Sequence, residues 1–265
     1  MTRADVFVLV VSGVSLASWY AISHDWRAGR LLRRSWRRIG PYASAYVRSS
    51  PVTFLYAGVI TFTTWVLVGS NGRVANAILR AQSTNLSNLR HNGVDVLIRS
   101  AFWSGSSYAL PIIAILAIVL APAEYWLGTG RAILIFAIGH VGGTLLTAIG
   151  IDLALHFGHA PHGIENSIDV GVSYGTFCVA GVLTYRLGEP WRYLWVVGLL
   201  GVLILVAVNG VTFSDYGHVI SVLLGLACYP LTRAPGALLR SKVPMYRPWL
   251  ATKQVGESSK EPCAS

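Results

Sequence analysis

Charge is scarce in this sequence: of 265 residues only 12% are charged, while 54% are hydrophobic. Ordinary soluble domains carry about 25% charged residues, so too little polarity is present to coat a surface facing water. Acidic residues are scarcest, eleven in all, and the gaps between them coincide with apolar runs, as a lipid-facing chain requires. Lysine is nearly absent, at three residues against 18 arginines. Cysteine is equally rare. Cys178 and Cys228 fall inside apolar runs and Cys263 in the polar tail, a placement that offers no disulfide framework. No internal repeat is visible. The stretch 1–22 has no basic n-region beyond Arg3 and no small-x-small cleavage site, so it reads as an uncleaved first span.

What is present is positive charge, a net +10, and it is clustered. Seven arginines fall between Arg27 and Arg48, just after one apolar segment and before the next. In a membrane protein such a cluster marks a cytoplasmic segment touching anionic lipid, and nucleic acid is not expected as a partner. A span needs roughly 17–25 mostly apolar residues, and the windows 5–22, 52–69, 106–122, 132–150, 168–185, 193–209 and 214–230 qualify. The expected fold is therefore all-α, a polytopic transmembrane helix bundle. It divides into an N-terminal transmembrane helix (1–23), a basic cytoplasmic amphipathic segment (24–50), a membrane core (51–232) and a largely disordered cytoplasmic tail (233–265). With the basic segment inside, alternation puts 124–131, 186–192 and the tail inside, and 70–105, 156–166 and 212–214 outside. The 70–105 loop carries apolar residues at helical spacing and reads as a lateral element lying in the interface.

Polar residues inside spans are costly, so each needs a reason. Ser173 lies about five residues into the fifth predicted span and His218 about four into the seventh, both counted from the outer face. At 1.5 Å per residue they share a depth. Serine with imidazole is the minimum for an activated hydroxyl nucleophile. The plainer alternative is that Ser173 bonds its own backbone and His218 caps a helix or faces water. Small residues stand where close approach would need them: Gly171, Gly175 and Gly181 around Ser173, and Ser221 and Gly225 three and seven residues after His218.

The run GVSYGTFCVAG (171–181) resembles the G-x-S-G-x-x-x-G serine motif of rhomboid intramembrane proteases, with Ser173 as nucleophile. GHVISVLLGLA (217–227) is similar to the family's last core span, in which the catalytic His precedes small residues. EYWLGTGR (124–131) resembles the acidic and glycine turn joining its second and third core spans. The resemblance covers about 50–232 and implies a six-span rhomboid-like core with one extra N-terminal span. It implies a serine protease cleaving transmembrane segments near the outer leaflet through a Ser173–His218 dyad. The second expectation is a catalytically inactive rhomboid-fold protein that binds or routes other membrane proteins. Two departures separate these readings. Tyr174 stands where the family has glycine, and Ala109 and Ile113 stand where it has the His and Asn that help hold the oxyanion. Each such donor is worth roughly 2.7–4 kcal/mol. The Ser173 N–H remains, with Ser104, Ser106 and Tyr108 as stand-ins.

Auxiliary candidates are Asp169, Tyr174 and His140. Asp169, one turn before Ser173, would orient His218 or cap the serine helix. His140, in AIGHVGGTLL, would donate to an oxyanion or hold a water; the plainer reading is a structural histidine packed against glycines. Glu124 is expected to anchor the turn that follows it by bonding its backbone amides. His156, His159 and His162 recur at three-residue steps in an outer loop, a solvated loop by its plainer reading, and no metal or cofactor is expected. The implied partners are membrane lipids and transmembrane substrates or clients. The implied location is a bacterial plasma membrane, with the basic segment and C-terminus cytoplasmic.

Overall fold

A computed structural model describes Tyr20 and residues 27–105, 109–159, 163–208 and 213–240, all helix and connecting turns with no strand among them. The expected first span, apart from Tyr20, lies outside the described residues.

The basic segment forms α1 (Arg27–Ser49), in which Arg30, Arg34, Arg37, Arg38, Arg48 and Trp36 are exposed. It ends where Ser50 and Pro51 open α2 (Pro51–Gly69), proline being favoured in a first helical turn because its missing N–H is not needed there. The 70–105 loop folds into α3 (Gly72–Gln82) and α4 (Leu86–Ser100). Each is capped by an asparagine: Asn71 accepts from the Val74 N–H at 3.0 Å, and Asn85 from the Asn88 N–H at 2.8 Å.

Next comes α5 (Ala109–Leu127), which turns sharply at Gly128. That residue sits at φ +85°, a conformation suited to glycine. The following passage is one helix of 28 residues, Thr129–His156, long and apolar enough to cross a membrane. It comprises α6 (Thr129–Ala137), a π-helical turn (Ile138–Gly142) and α7 (Gly143–His156). The serine segment is α8 (Val172–Leu183), followed by α9 (Trp191–Val208) and α10 (Phe213–Ala227). Two short helices, α11 (Tyr229–Thr232) and α12 (Pro235–Arg240), close the described chain.

The serine helix is shorter than its apolar window. Residues 167–170 are not helical, and α8 has 12 residues, about 18 Å of rise, which alone falls short of a bilayer core of about 30 Å. The backbone before it is bonded sideways instead. The Thr84 N–H donates to Asp169 O at 2.8 Å, the Asp169 N–H donates to Ser83 Oγ at 2.8 Å, and the Gly171 N–H donates to Ser100 O at 3.1 Å. Non-helical chain at this depth is tolerated where protein rather than lipid satisfies it. Ser173 consequently sits in the first turn of its helix, not five residues into one.

The expected tail is also helical at its start. Ala237 of α12 is fully buried, and the Trp126 indole donates to its carbonyl at 3.1 Å, which docks this segment under α5. Residues 241–265 lie outside the described residues.

One apolar core runs through the bundle, built from Leu116, Leu120 and Trp126 of α5, Ile135 of α6, and Val179, Val182 and Leu183 of α8. Outside it the helices present large apolar side chains to their surroundings, among them Leu55, Phe62, Leu110, Val197 and Leu205, each more than 60% exposed. Such a surface is stable only in lipid, so the chain is an integral membrane protein.

Candidate active site

Small residues let α8 touch both neighbours at backbone distance. A side chain on Gly225 of α10 would overlap the Cys178 carbonyl. One on Gly181 of α8 would come within 2.6 Å of the Val222 carbonyl, and one on Gly139 within 2.9 Å of the Tyr174 carbonyl. Gly175 is covered by the Phe136 ring. Ser221 is fully buried in the same seam. In lipid, where apolar burial gives helices no drive to associate, this close packing holds them together.

Within that frame Ser173 is half-buried and borders a cavity of about 560 Å³. The cavity opens between α5 and α9, with Ile112, Leu116, Trp195 and Leu199 as walls and Ser104 at its rim. His218 reaches toward the same face of α8. Its ring lies 4.5 Å from that of Phe177, one helical turn beyond Ser173, and 5.4 Å from that of Tyr174 in an edge-on contact. Both ring nitrogens are buried and have no hydrogen-bond partner among the described residues. Ser173 and His218 are thus gathered around one turn of α8 without being bonded to each other. Phe177 was not singled out from the sequence; its position four residues after the serine is the signal that would have found it.

Tyr174 is fully buried and points away from the cavity, its ring lying over Gly217 of α10 and beside Gly143 of α7. Its hydroxyl approaches Asp169 and Ser214 without hydrogen-bond geometry to either. Asp169 neither bonds His218 nor caps α8, whose cap position is Gly171. Its buried carboxylate accepts from Thr84 Oγ1 at 3.1 Å and Ser214 Oγ at 2.9 Å, joining the α3–α4 corner to the start of α10. Asp215, also buried, lies in the first turn of α10.

His140 occupies the π-helical turn on the far side of Gly171. Its Nε2 lies 2.8 Å from the Leu97 carbonyl and 3.3 Å from Ser100 Oγ, its ring stacks on Phe136, and a side chain on Gly171 would overlap it. It therefore joins α4 to the segment entering α8. Ile113 is partly buried in α5. Ser106 and Tyr108, and the side chain of Ala109, lie outside what is described.

Glu124 anchors a different element from the one expected. Its carboxylate accepts from the Val52 N–H at 3.2 Å, the Thr53 N–H at 2.8 Å and Thr53 Oγ1 at 2.7 Å, so it caps α2. The following turn contributes a side chain, Thr129 Oγ1 at 2.9 Å, and that turn's Gly128 N–H donates to the backbone carbonyl of Glu124. The reason is burial: at 3% exposure the carboxylate needs several donors at once, and the first turn of α2 offers two orphan N–H groups. His156 and His159 are exposed, and His162 lies outside the described residues.

A family model described as rhomboid-like protein matches residues 45–238, well over half of the chain. No curated protein and no solved structure matches the chain.

Proposed function

The chain belongs to the rhomboid-like family, and from that premise we propose that it is an intramembrane serine protease acting through Ser173 and His218. The observation that carries this reading is the unpartnered imidazole of His218, packed on Phe177 one turn from Ser173, both of which line a lateral cavity. A buried ring with both nitrogens unsatisfied is costly, and among the described residues no other side chain leaves two buried polar atoms without a partner. A catalytic base awaiting substrate explains that cost, since catalytic hydrogen bonds often tighten only in the complex.

A destabilised transmembrane segment would enter between α5 and α9 and present a peptide carbonyl to Ser173 Oγ. His218 would take the hydroxyl proton as the Oγ–C bond forms, then give it to the leaving amine as the C–N bond breaks. Water, entering from the outer mouth near Ser214 and Asp215, would hydrolyse the acyl-enzyme by the same steps in reverse order. With Ile113 unable to donate a hydrogen bond, oxyanion binding falls to the backbone. Ser173 lies in the first turn of α8, where N–H groups have no partner within the helix and the helix dipole favours negative charge. The basic segment and C-terminus face the cytoplasm in this scheme, and the composition fits a bacterial plasma membrane.

A second reading, a non-catalytic protein that binds or routes membrane clients, is favoured by the open Ser173–His218 gap and by Tyr174 filling the seam. Reconstitution with a reporter carrying a glycine-rich transmembrane segment separates the two. Cleavage lost in both Ser173→Ala and His218→Ala supports the protease; capture of the reporter without cleavage by all three proteins supports the client binder.

A further inference from the structure

Helices α8 and α10 both start beside Asp169 and Ser173, so their C-terminal ends lie together at the opposite end of the bundle. A second cavity, of about 520 Å³, opens there. It is lined by Arg186, Arg192 and Arg233, with Tyr185, Tyr229 and Trp126 among its walls and no acidic residue among the described residues that line it. The carboxylates nearest in sequence are engaged elsewhere: Glu124 caps α2, and Glu189 accepts from the Tyr193 hydroxyl at 2.9 Å.

The cations are held in place. The Arg233 guanidinium lies 5.8 Å above the Tyr229 ring, which packs at 4.9 Å on Tyr185, whose hydroxyl donates to Leu226 O at 2.8 Å. Arg192 is fixed through Nε to Leu187 O at 2.9 Å, and Arg186 through Nη2 to Arg240 O at 3.4 Å. Burial pushes the Arg186 guanidinium below its ordinary pKa, with the nearby Tyr125 acting the other way. Three arginines line this one concavity, and guanidinium geometry suits phosphate oxygens. Pre-ordered side chains lower the entropy cost of such binding. Trp126 and Leu238 add apolar wall where the helices leave the lipid.

We propose that this cavity binds the phosphate headgroup of an anionic membrane lipid, its acyl chains lying along the outer faces of the neighbouring helices. Basic pockets between transmembrane helices hold such headgroups in general. The test is native mass spectrometry of the full chain titrated with phosphatidylglycerol, phosphatidylcholine or inorganic phosphate. Arg192→Gln and Arg233→Gln, both at exposed positions, should each weaken phosphatidylglycerol retention by about tenfold, the loss of one charge-assisted bond, and Arg186→Gln likewise. Phosphatidylcholine retention should be weak and unchanged. Arg37→Gln, on exposed α1, should behave as the native chain. Native-like retention in Arg192→Gln and Arg233→Gln would overturn the site. An equal loss in Arg37→Gln would reduce it to general surface charge. Displacement of the lipid by inorganic phosphate at matching concentration would make it a free-anion site instead.

Discussion

At the scale of single residues, the site turns on side chains that have no slack. Tyr174 fills the seam between α7, α8 and α10 completely. Tyr174→Ala should destabilise the protein by about 3–5 kcal/mol, the range for deleting a buried aromatic, measured by reversible unfolding in detergent. Tyr174→Phe should cost far less, because the hydroxyl has no hydrogen-bond partner among the described residues to lose. Gly225 is the converse case. A methyl there overlaps the Cys178 carbonyl, a backbone atom that cannot swing away, so Gly225→Ala should cost about 1–3 kcal/mol. A neutral result in the same unfolding measurement would mean that α8 and α10 can separate cheaply.

At the scale of elements, the Glu124 carboxylate ties α5 to the start of α2 across 71 residues of sequence. Glu124→Ala would leave two backbone N–H groups of α2 without their acceptor, each worth about 1–3 kcal/mol when buried. Hydrogen exchange should show the first turn of α2 losing protection, while α8 keeps its own. This element also marks where sequence reading stops. The acidic residue and the glycine turn after it were legible through the resemblance of EYWLGTGR (124–131) to the turn that joins the family's second and third core spans. Which amides the carboxylate takes depends on α2 lying alongside α5, and no local pattern encodes that. The same limit applies to α8. Apolar composition extends to 168, yet Asp169 and Gly171 spend their backbone groups on the α3–α4 corner and Ser100, so the helix begins only at Val172. Ser173 and His218 were legible as costly polar residues at one depth. The tilted ring contact of His218 with Phe177, and the absence of a bond to Ser173, depend on rotamers set by tertiary packing.

At the scale of the whole molecule, the arrangement has two ends with different chemistry. Asp169, Ser214 and Ser173 gather at one, and three arginines line a cavity at the other. The proposed orientation puts the first outside and the second in the cytoplasm. Single cysteines at Gly72 and Gly188, where a Cβ meets nothing within 4 Å, would report it in a Cys263→Ser background, since Cys178 and Cys228 are buried. In intact cells a membrane-impermeant maleimide should label Gly72→Cys and spare Gly188→Cys; the reverse pattern would invert the topology.

The central claim is that Ser173 is a nucleophile activated by His218. Its most direct measurement is labelling of the purified full chain with a fluorophosphonate, read as the mass of the adduct and its position in the sequence. The account predicts one adduct, on Ser173, absent in Ser173→Ala and strongly slowed in His218→Ala. Equal absence of labelling in the native chain and both variants would contradict it.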